Sequence, residues 1–398
     1  MAAQTPGTCR ECCGASTASP GRWRQAETRL KVLLLSAYAA QSHRHWAASL
    51  QRLLADWDWE VLELPPRHFS WAVRGNPLYW SQARAETLAR PRDLVVATSM
   101  VDLATLRGLV PRLAQVPAVL YFHENQFAYP PGRHRHGLLE AQMVSLYAAL
   151  AACRLLFNSA YNRDSFLAGV DDLLRRLPDR VPAGVVQTLR ARAAVLPVPC
   201  EIEALAAATE AWPGAPRRRV GDPLRLLWVG RFEHDKGVEA LLAVARDLQH
   251  SGIDWELAVN GQQFRQVPDA LDVLRREFGS RLVHVGYMPE EQRYHGLLRG
   301  ADIVLSTALH EFQGLAVMEA VAAGCLPAVP DRLVYPELYP AGFRYAAGEG
   351  EAARLILRLR EQLRAGTLAP PPLAAFAPHA LAPRYRAALA AAVRQDSQ

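Results

Sequence analysis

Apolar positions along this chain come in short unbroken runs that end in small or polar residues, and between the runs the apolar spacing lengthens to that of a helix. KVLLLSA (31–37), LVVATSM (94–100), AVLYF (118–122), RLLFNS (154–159), LRLLWVG (224–230) and DIVLS (302–306) are the clearest runs. Each reads as a buried strand. Strand, short loop and helix follow one another in both halves, which is the order of Rossmann-like units. The pattern predicts an α/β protein with its sites at the carboxyl edges of the strands, where loops and helix N-termini meet. The halves part within residues 195–222, where Pro-Gly-Ala-Pro and Arg217-Arg218-Arg219 interrupt the periodicity.

The most informative stretch is 302–340. A strand leads into a loop carrying His310 and Glu311. Gly314 then opens the apolar-periodic segment LAVMEAVAAG, which Gly324 closes. Glu311 on the loop and Glu319 two turns into the helix can border one cleft, and bare backbone at Gly314 lets an anion approach the N–H groups of Leu315 and Ala316. Taken alone, two glutamates at this spacing are more often solvated charges on a core helix.

Other polar clusters also sit where a strand ends. Arg231 and Lys236, in Arg-Phe-Glu-His-Asp-Lys-Gly after the 224–230 strand, place two cations where one anion could be held, Arg231 by a planar fork and Lys236 as a point charge. His123-Glu124-Asn125-Gln126 follows AVLYF, and Ser42-His43 follows the first strand. Residues 64–82 interleave Arg67, His68, Trp71, Arg74, Tyr79 and Trp80, a mixture that suits unpaired bases and phosphates as well as it suits rings packed under a loop. Arg133–His136 reads as a solvated basic loop. Asp56-Trp57-Asp58 lies between a helix and the strand VLEL, and reads as a turn rather than a metal site.

Composition narrows the class. At 398 residues the chain should hold about two domains. Half of its residues are hydrophobic, its mean hydropathy is −0.05 and its charge is +6, so a polyanionic partner is permitted without being demanded. No apolar stretch reaches the roughly 18 residues that span a bilayer, and no secretory leader is evident. Six cysteines suggest no disulfide framework. Cys9, Cys12 and Cys13 lack a nearby fourth ligand. A cytoplasmic protein with reduced thiols is expected, its residues 1–28 a disordered tail.

Glu-Phe-x-Gly-x-x-x-x-Glu-Ala at 311–320, the Gly-Cys-x-Pro strand after it and the Arg231–Gly237 element resemble the donor site of the family-four retaining glycosyltransferases. VYPELYP (334–340) and LYFHENQFAYP (120–130) resemble their tRNA-queuosine mannosyltransferase branch. The resemblance covers most of 31–390. It implies a GT-B fold, two Rossmann-like domains facing across a cleft: 29–199 plus a returning helix at 379–398 on the acceptor side, and 200–378 on the donor side. It implies transfer of mannose from GDP-mannose to queuosine in a tRNA anticodon loop, with retention, without a metal and with no membrane partner. By the same resemblance His123 and Glu311 are catalytic. Arg231, Lys236, Gly314 and Leu315 bind the diphosphate. Glu319, Gly286, Tyr287 and Met288 bind the nucleoside. Ser42, His43, Arg67, Trp71, Arg74, Glu124, Asn125 and Gln126 meet the acceptor. Where the branch has Gly-Gly-Ser-His, this chain has Ala40-Gln41-Ser42-His43. Two other readings stay open: a transferase acting on lipid or polysaccharide, and a non-catalytic nucleotide-sugar sensor.

Overall fold

The computed structural model describes residues 29–129, 138–214, 221–263 and 268–395. The segment 1–28 with its three cysteines, the Arg133–His136 loop and the Arg217–Arg219 run lie outside the described residues.

Two six-stranded parallel sheets organise the chain. The first holds β1 (Lys31–Ser36), β2 (Asp58–Glu63), β3 (Leu94–Thr98), β4 (Ala118–Phe122), β5 (Arg154–Phe157) and β6 (Ala193–Val195), in the order β2-β1-β3-β4-β5-β6. The second holds β7 (Leu224–Val229), β8 (Trp255–Asn260), β9 (Leu282–Gly286), β10 (Ile303–Leu305), β11 (Leu326–Pro330) and β12 (Arg344–Tyr345), in the order β12-β11-β10-β7-β8-β9. Every residue of β3, β4, β10 and β11 is buried. Helices cover both faces of a parallel sheet, and the strands therefore read as continuous apolar runs rather than alternating ones.

The helix Pro378–Gln395 returns to the first sheet. Leu381, Tyr385, Leu389 and Ala392 lie on one face of it and share a core with Val32, Leu34, Val96 and Tyr121. The Tyr385 hydroxyl accepts the Trp46 indole N–H at 3.0 Å and stands 2.9 Å from the Pro197 carbonyl, in the segment that crosses between domains.

Three regions depart from the sequence pattern. Residues 64–82 run into a helix, Phe69–Ala83, that buries Ala72, Val73, Asn76, Pro77 and Trp80. Trp71, Leu78 and Tyr79 on its outer face masked the helical period. Glu351–Arg364 is a second helix, which the sequence pattern above did not single out, with Ala352, Leu355, Ile356 and Leu359 as a regular buried stripe. The first helix begins at Gln41, so Ser42 and His43 belong to its first turn and not to a loop. Ala40 has φ −63°, an ordinary extended backbone, and no glycine is required where the branch has a pair of them.

Candidate active site

In the second sheet β7 has β8 on one side and β10 on the other, so the strand order reverses between β7 and β10. The crevice at such a reversal, outside the carboxyl ends of the strands, is where ligands sit in open α/β sheets. The loops after β7 and β10 meet there. The Asp235 carbonyl accepts the N–H groups of Leu309 at 2.8 Å and His310 at 3.1 Å. Thr307 Oγ1 donates to the Gly237 carbonyl at 2.8 Å and accepts the Trp228 indole N–H at 2.9 Å. Lys236 Nζ, fixed by this scaffold, lies 3.1 Å from Glu311 Oε2 and 3.1 Å from the His310 carbonyl. Glu311 Oε1 accepts the Phe312 N–H at 3.0 Å. Burial alone would raise the Glu311 pKa, but Lys236 and the loop N–H groups bring it down to about 2. Burial opposes the charge on Lys236, and Glu311 and Asp235 more than offset it.

Arg231 faces the same crevice with 41% of its side chain exposed, 3.1 Å from Glu233 and 3.4 Å from Asp235. Gly314 has φ +69° and heads the helix Leu315–Ala322, whose N-terminus no side chain among the described residues caps. Glu319, one turn on, accepts the Tyr294 hydroxyl at 2.8 Å. Burial raises its pKa to about 7, against the Tyr294 hydrogen bond, which lowers it. Two cations, an ionised carboxylate, an uncapped helix N-terminus and a carboxyl poised near neutrality thus line one cleft. Among the described residues no three or more His, Cys, Asp or Glu side chains are grouped to hold a metal ion.

Across the cleft, His123 directly follows β4. Its ring stacks on His43 at 4.2 Å and meets the Trp46 ring edge-on at 4.9 Å. Burial lowers both histidine pKa values, that of His43 to about 4, so both rings are neutral near pH 7 and cannot serve as anion clamps. Tyr129 brings its ring to 4.1 Å from His310. Glu124 is half-buried, and its carboxyl is raised by burial despite the nearby Arg231 and Lys236.

Residues 31–200 match the model of the tRNA-queuosine alpha-mannosyltransferase N-terminal domain, and residues 215–365 match that of glycosyl transferases group 1. The tRNA-queuosine alpha-mannosyltransferase of Drosophila melanogaster is 32% identical over 314 residues, covering 78% of this chain and 81% of that protein. The chain belongs to the tRNA-queuosine alpha-mannosyltransferase family. It is a glycosyltransferase. The sucrose-phosphate synthase of Thermosynechococcus elongatus superposes with a TM-score of 0.60 at 15% identity, covering 93% of this chain and 98% of that one. Anabaena HepE, solved with UDP and glucose, gives a TM-score of 0.60 at 15% identity with the same coverage. These likenesses establish the GT-B fold.

Within this family member, the residues the sequence singled out divide into two groups. Arg231, Lys236, Glu311, Gly314, Leu315 and Glu319 converge on the crevice. Gly286 ends β9, the edge strand beyond β8, with Tyr287 and Met288 just after it, and Gln41 Nε2 reaches from the first domain to the Tyr287 hydroxyl at 3.4 Å. Several residues named for the acceptor are turned inward instead. Asn125 is buried: its amide donates to Asn162 Oδ1 and Ser165 Oγ, each at 2.9 Å, and its oxygen accepts the N–H groups of Phe127 and Ala128, each at 3.0 Å. Gln126 is buried against Met100. His43 is buried under His123, and Trp80 is in the core. Arg74 is exposed in part, but its guanidinium binds Asp102 at 2.6 Å and Glu140 at 3.0 Å. A polar residue after a strand can tie its own loop instead of a ligand, and nothing in the one-letter pattern separates the two uses. Ser42, Arg67, Trp71 and the half-buried Glu124 remain accessible. Trp71 is 64% exposed. Its indole lies over Gly75, where a Cβ would come within 2.5 Å of the ring, so one face rests on bare backbone. The sequence reading missed Tyr294 and Tyr129. The pairing of Tyr294 with Glu319 over 25 residues leaves no local signal.

Proposed function

We propose that the protein transfers a mannosyl group from GDP-mannose to a hydroxyl of queuosine in a tRNA anticodon loop, with retention of configuration, in the cytoplasm. The observation that carries this reading is the Lys236–Glu311 pair at 3.1 Å beside Arg231, which puts cations for a leaving diphosphate next to a carboxylate for the sugar. The bond between the anomeric carbon and the GDP oxygen breaks, and Arg231 and Lys236 receive the charge that grows on the diphosphate. Preorganised charge of this kind is the largest contribution in many enzymes. Glu311 binds sugar hydroxyls and steadies positive charge at the anomeric carbon. The acceptor oxygen forms its bond on the same face, and its proton passes to the departing phosphate, so no protein general base is used. Glu319 holds the ribose diol, and His123 orients the sugar beside its neutral ring. Arg231 and Lys236 supply the positive charge, and the reaction is proposed to need no metal. The family relationship supports the RNA acceptor, as do the exposed Arg67 and Trp71. No helix among the described residues is long and apolar enough to cross a membrane.

The test is mass spectrometry of nucleosides from queuosine-containing tRNA incubated with the protein and each nucleotide sugar, with and without EDTA. A hexosylated queuosine formed only from GDP-mannose, with or without EDTA, is expected. Transfer from another nucleotide sugar overturns the donor, strict EDTA sensitivity overturns the metal-free clamp, and product only on added lipid overturns the acceptor.

A further inference from the structure

The VYPE run at 334–337 resembles the branch, yet it has no part in the chemistry above. The structure gives its glutamate a place. Tyr335–Leu338 is a single helical turn in the second domain. From it Glu337 crosses to the first domain: Oε1 accepts the Ala160 N–H at 2.8 Å and Oε2 accepts the Tyr161 N–H at 2.9 Å. These are the first two residues of the 17-residue helix Ala160–Arg176. The third N–H, that of Asn162, goes to its N-cap Ser159 at 3.0 Å. Helix N-termini leave such donors without intrahelical partners, and their partial positive charge favours a carboxylate. Two of these donors are served here from another domain.

The same turn braces the donor loop. The Tyr335 hydroxyl is 2.6 Å from Ser306 Oγ at the end of β10. Its ring sits under Gly314, where a Cβ would stand 3.2 Å from the ring edge. On the far side, Tyr161 packs its ring 5.8 Å from Phe312, between Glu311 and Gln313. Gln313 in turn accepts the Val198 N–H at 2.9 Å and donates to the Val198 carbonyl at 2.8 Å, in the segment joining the domains. Glu337 therefore stands at one end of a continuous bridge whose other end is the loop that carries Glu311.

We propose that Glu337 is a positioning residue: it clasps the second domain onto the N-terminus of the Ala160–Arg176 helix and so holds the Glu311–Gly314 loop in a closed cleft. It touches no substrate. The kinetic half of the test rests on the transferase reading; the conformational half does not.

Glu337→Gln removes the charge and one acceptor. Ala160→Pro removes the N–H from the other side. Proline is favoured at the first helical position, and Ser159, at φ −151° and ψ 163°, already has the extended backbone that the residue before a proline needs. Each single variant is expected to lower kcat/KM for transfer about three- to tenfold, the scale of a carboxylate at a helix N-terminus. The double variant is expected to be little worse than the more impaired single one, because both changes loosen the same two-bond clasp. Small-angle scattering without substrate should give each variant a larger radius of gyration than the wild type. Unchanged scattering and kinetics in both singles overturn the clasp, as do effects that simply add. If the wild type transfers nothing, the function proposal fails by itself, and scattering still decides the clasp: an unchanged radius in both variants overturns it.

Discussion

The two halves carry nearly the same tetrapeptide in a loop that follows a strand. His123-Glu124-Asn125-Gln126 follows β4 and His310-Glu311-Phe312-Gln313 follows β10. In both, the histidine is buried with Nε2 unpartnered among the described residues, and the glutamine is buried and holds its own surroundings. In both, the glutamate is the half-buried member that borders the cleft. The glutamates nevertheless ionise differently. Glu311 has Lys236 at 3.1 Å, and its pKa falls to about 2. The Glu124 pKa is raised chiefly by burial, which Arg231 and Lys236, neither within ion-pair distance of it, do not overcome against Asp235 and Glu233. Ionisation is therefore set by what the neighbouring strand delivers, not by the tetrapeptide. The third position differs as well: Asn125 ties down its own loop, whereas Phe312 packs on Tyr161 of the other domain.

Removing the partner breaks this contrast most severely. Lys236→Ala should leave Glu311 in the condition of Glu124, with its pKa raised, and strip the diphosphate of one cation. Turnover is expected to fall on the order of 10²-fold or more, the scale of a lost transition-state donor. Single-turnover transfer measures this. Near-normal turnover would remove Lys236 from the site.

The third position is tested through stability. Asn125→Ala takes the acceptor from the partly buried N–H groups of Phe127 and Ala128 and the amide donor from the buried Asn162 Oδ1, and a buried polar group left unpaired costs about 1–3 kcal/mol. Denaturant unfolding should move to lower concentration with little change in GDP affinity. A variant that is fully stable but loses tRNA binding would return Asn125 to the acceptor surface.

These outcomes bear on what was legible in the chain. The strands were legible because both faces of parallel sheets are buried, and the donor crevice because its residues lie in the loops after β7 and β10 and in the helix that follows β10. The helix at Phe69–Ala83 was not, because its exposed Trp71, Leu78 and Tyr79 hide the 3.6-residue period. Nor were the inward turns of Asn125 and Gln126, because an amide facing Asn162 or Met100 spells the same as one facing a ligand. Arg74 shows the same difficulty: its partners Asp102 and Glu140 lie 28 and 66 residues away.

Titration sharpens the comparison on the donor side. The Glu311 pKa is depressed in the fold, so its contribution to stability is present above the ordinary 4.5 and is lost as pH falls towards about 2. The Glu319 pKa is raised, so its contribution is present below 4.5 and is lost as pH rises through about 7. Over that upper window wild-type stability should decline, and Glu319→Gln should flatten the decline. GDP affinity should move the other way, strengthening severalfold as the Glu319 carboxylate forms to accept ribose hydroxyls. Calorimetry on either side of about pH 7 checks both signs, and a pH-independent wild type would remove Glu319 from the nucleoside site.

The smallest effects separate two arginines that the sequence treated alike. Arg67 is exposed just before the Phe69–Ala83 helix, while Arg74, within that helix, is held by two carboxylates, Asp102 and Glu140. A phosphate contact releases counterions, so each such contact steepens the fall of affinity with salt by about one unit of slope or slightly less. Arg67→Ala is expected to flatten the salt dependence of tRNA binding by about that amount. Arg74→Ala should leave the slope alone, because its charge is already committed to the buried Asp102 and to Glu140. Trp71→Ala separates charge from stacking: affinity should drop by about 1–3 kcal/mol for one base with the slope intact. Titrations of labelled queuosine-containing tRNA at several salt concentrations measure all three. A flattened slope in Arg74→Ala would mean that RNA pulls this guanidinium away from its carboxylates, and the acceptor surface would then extend towards Glu140.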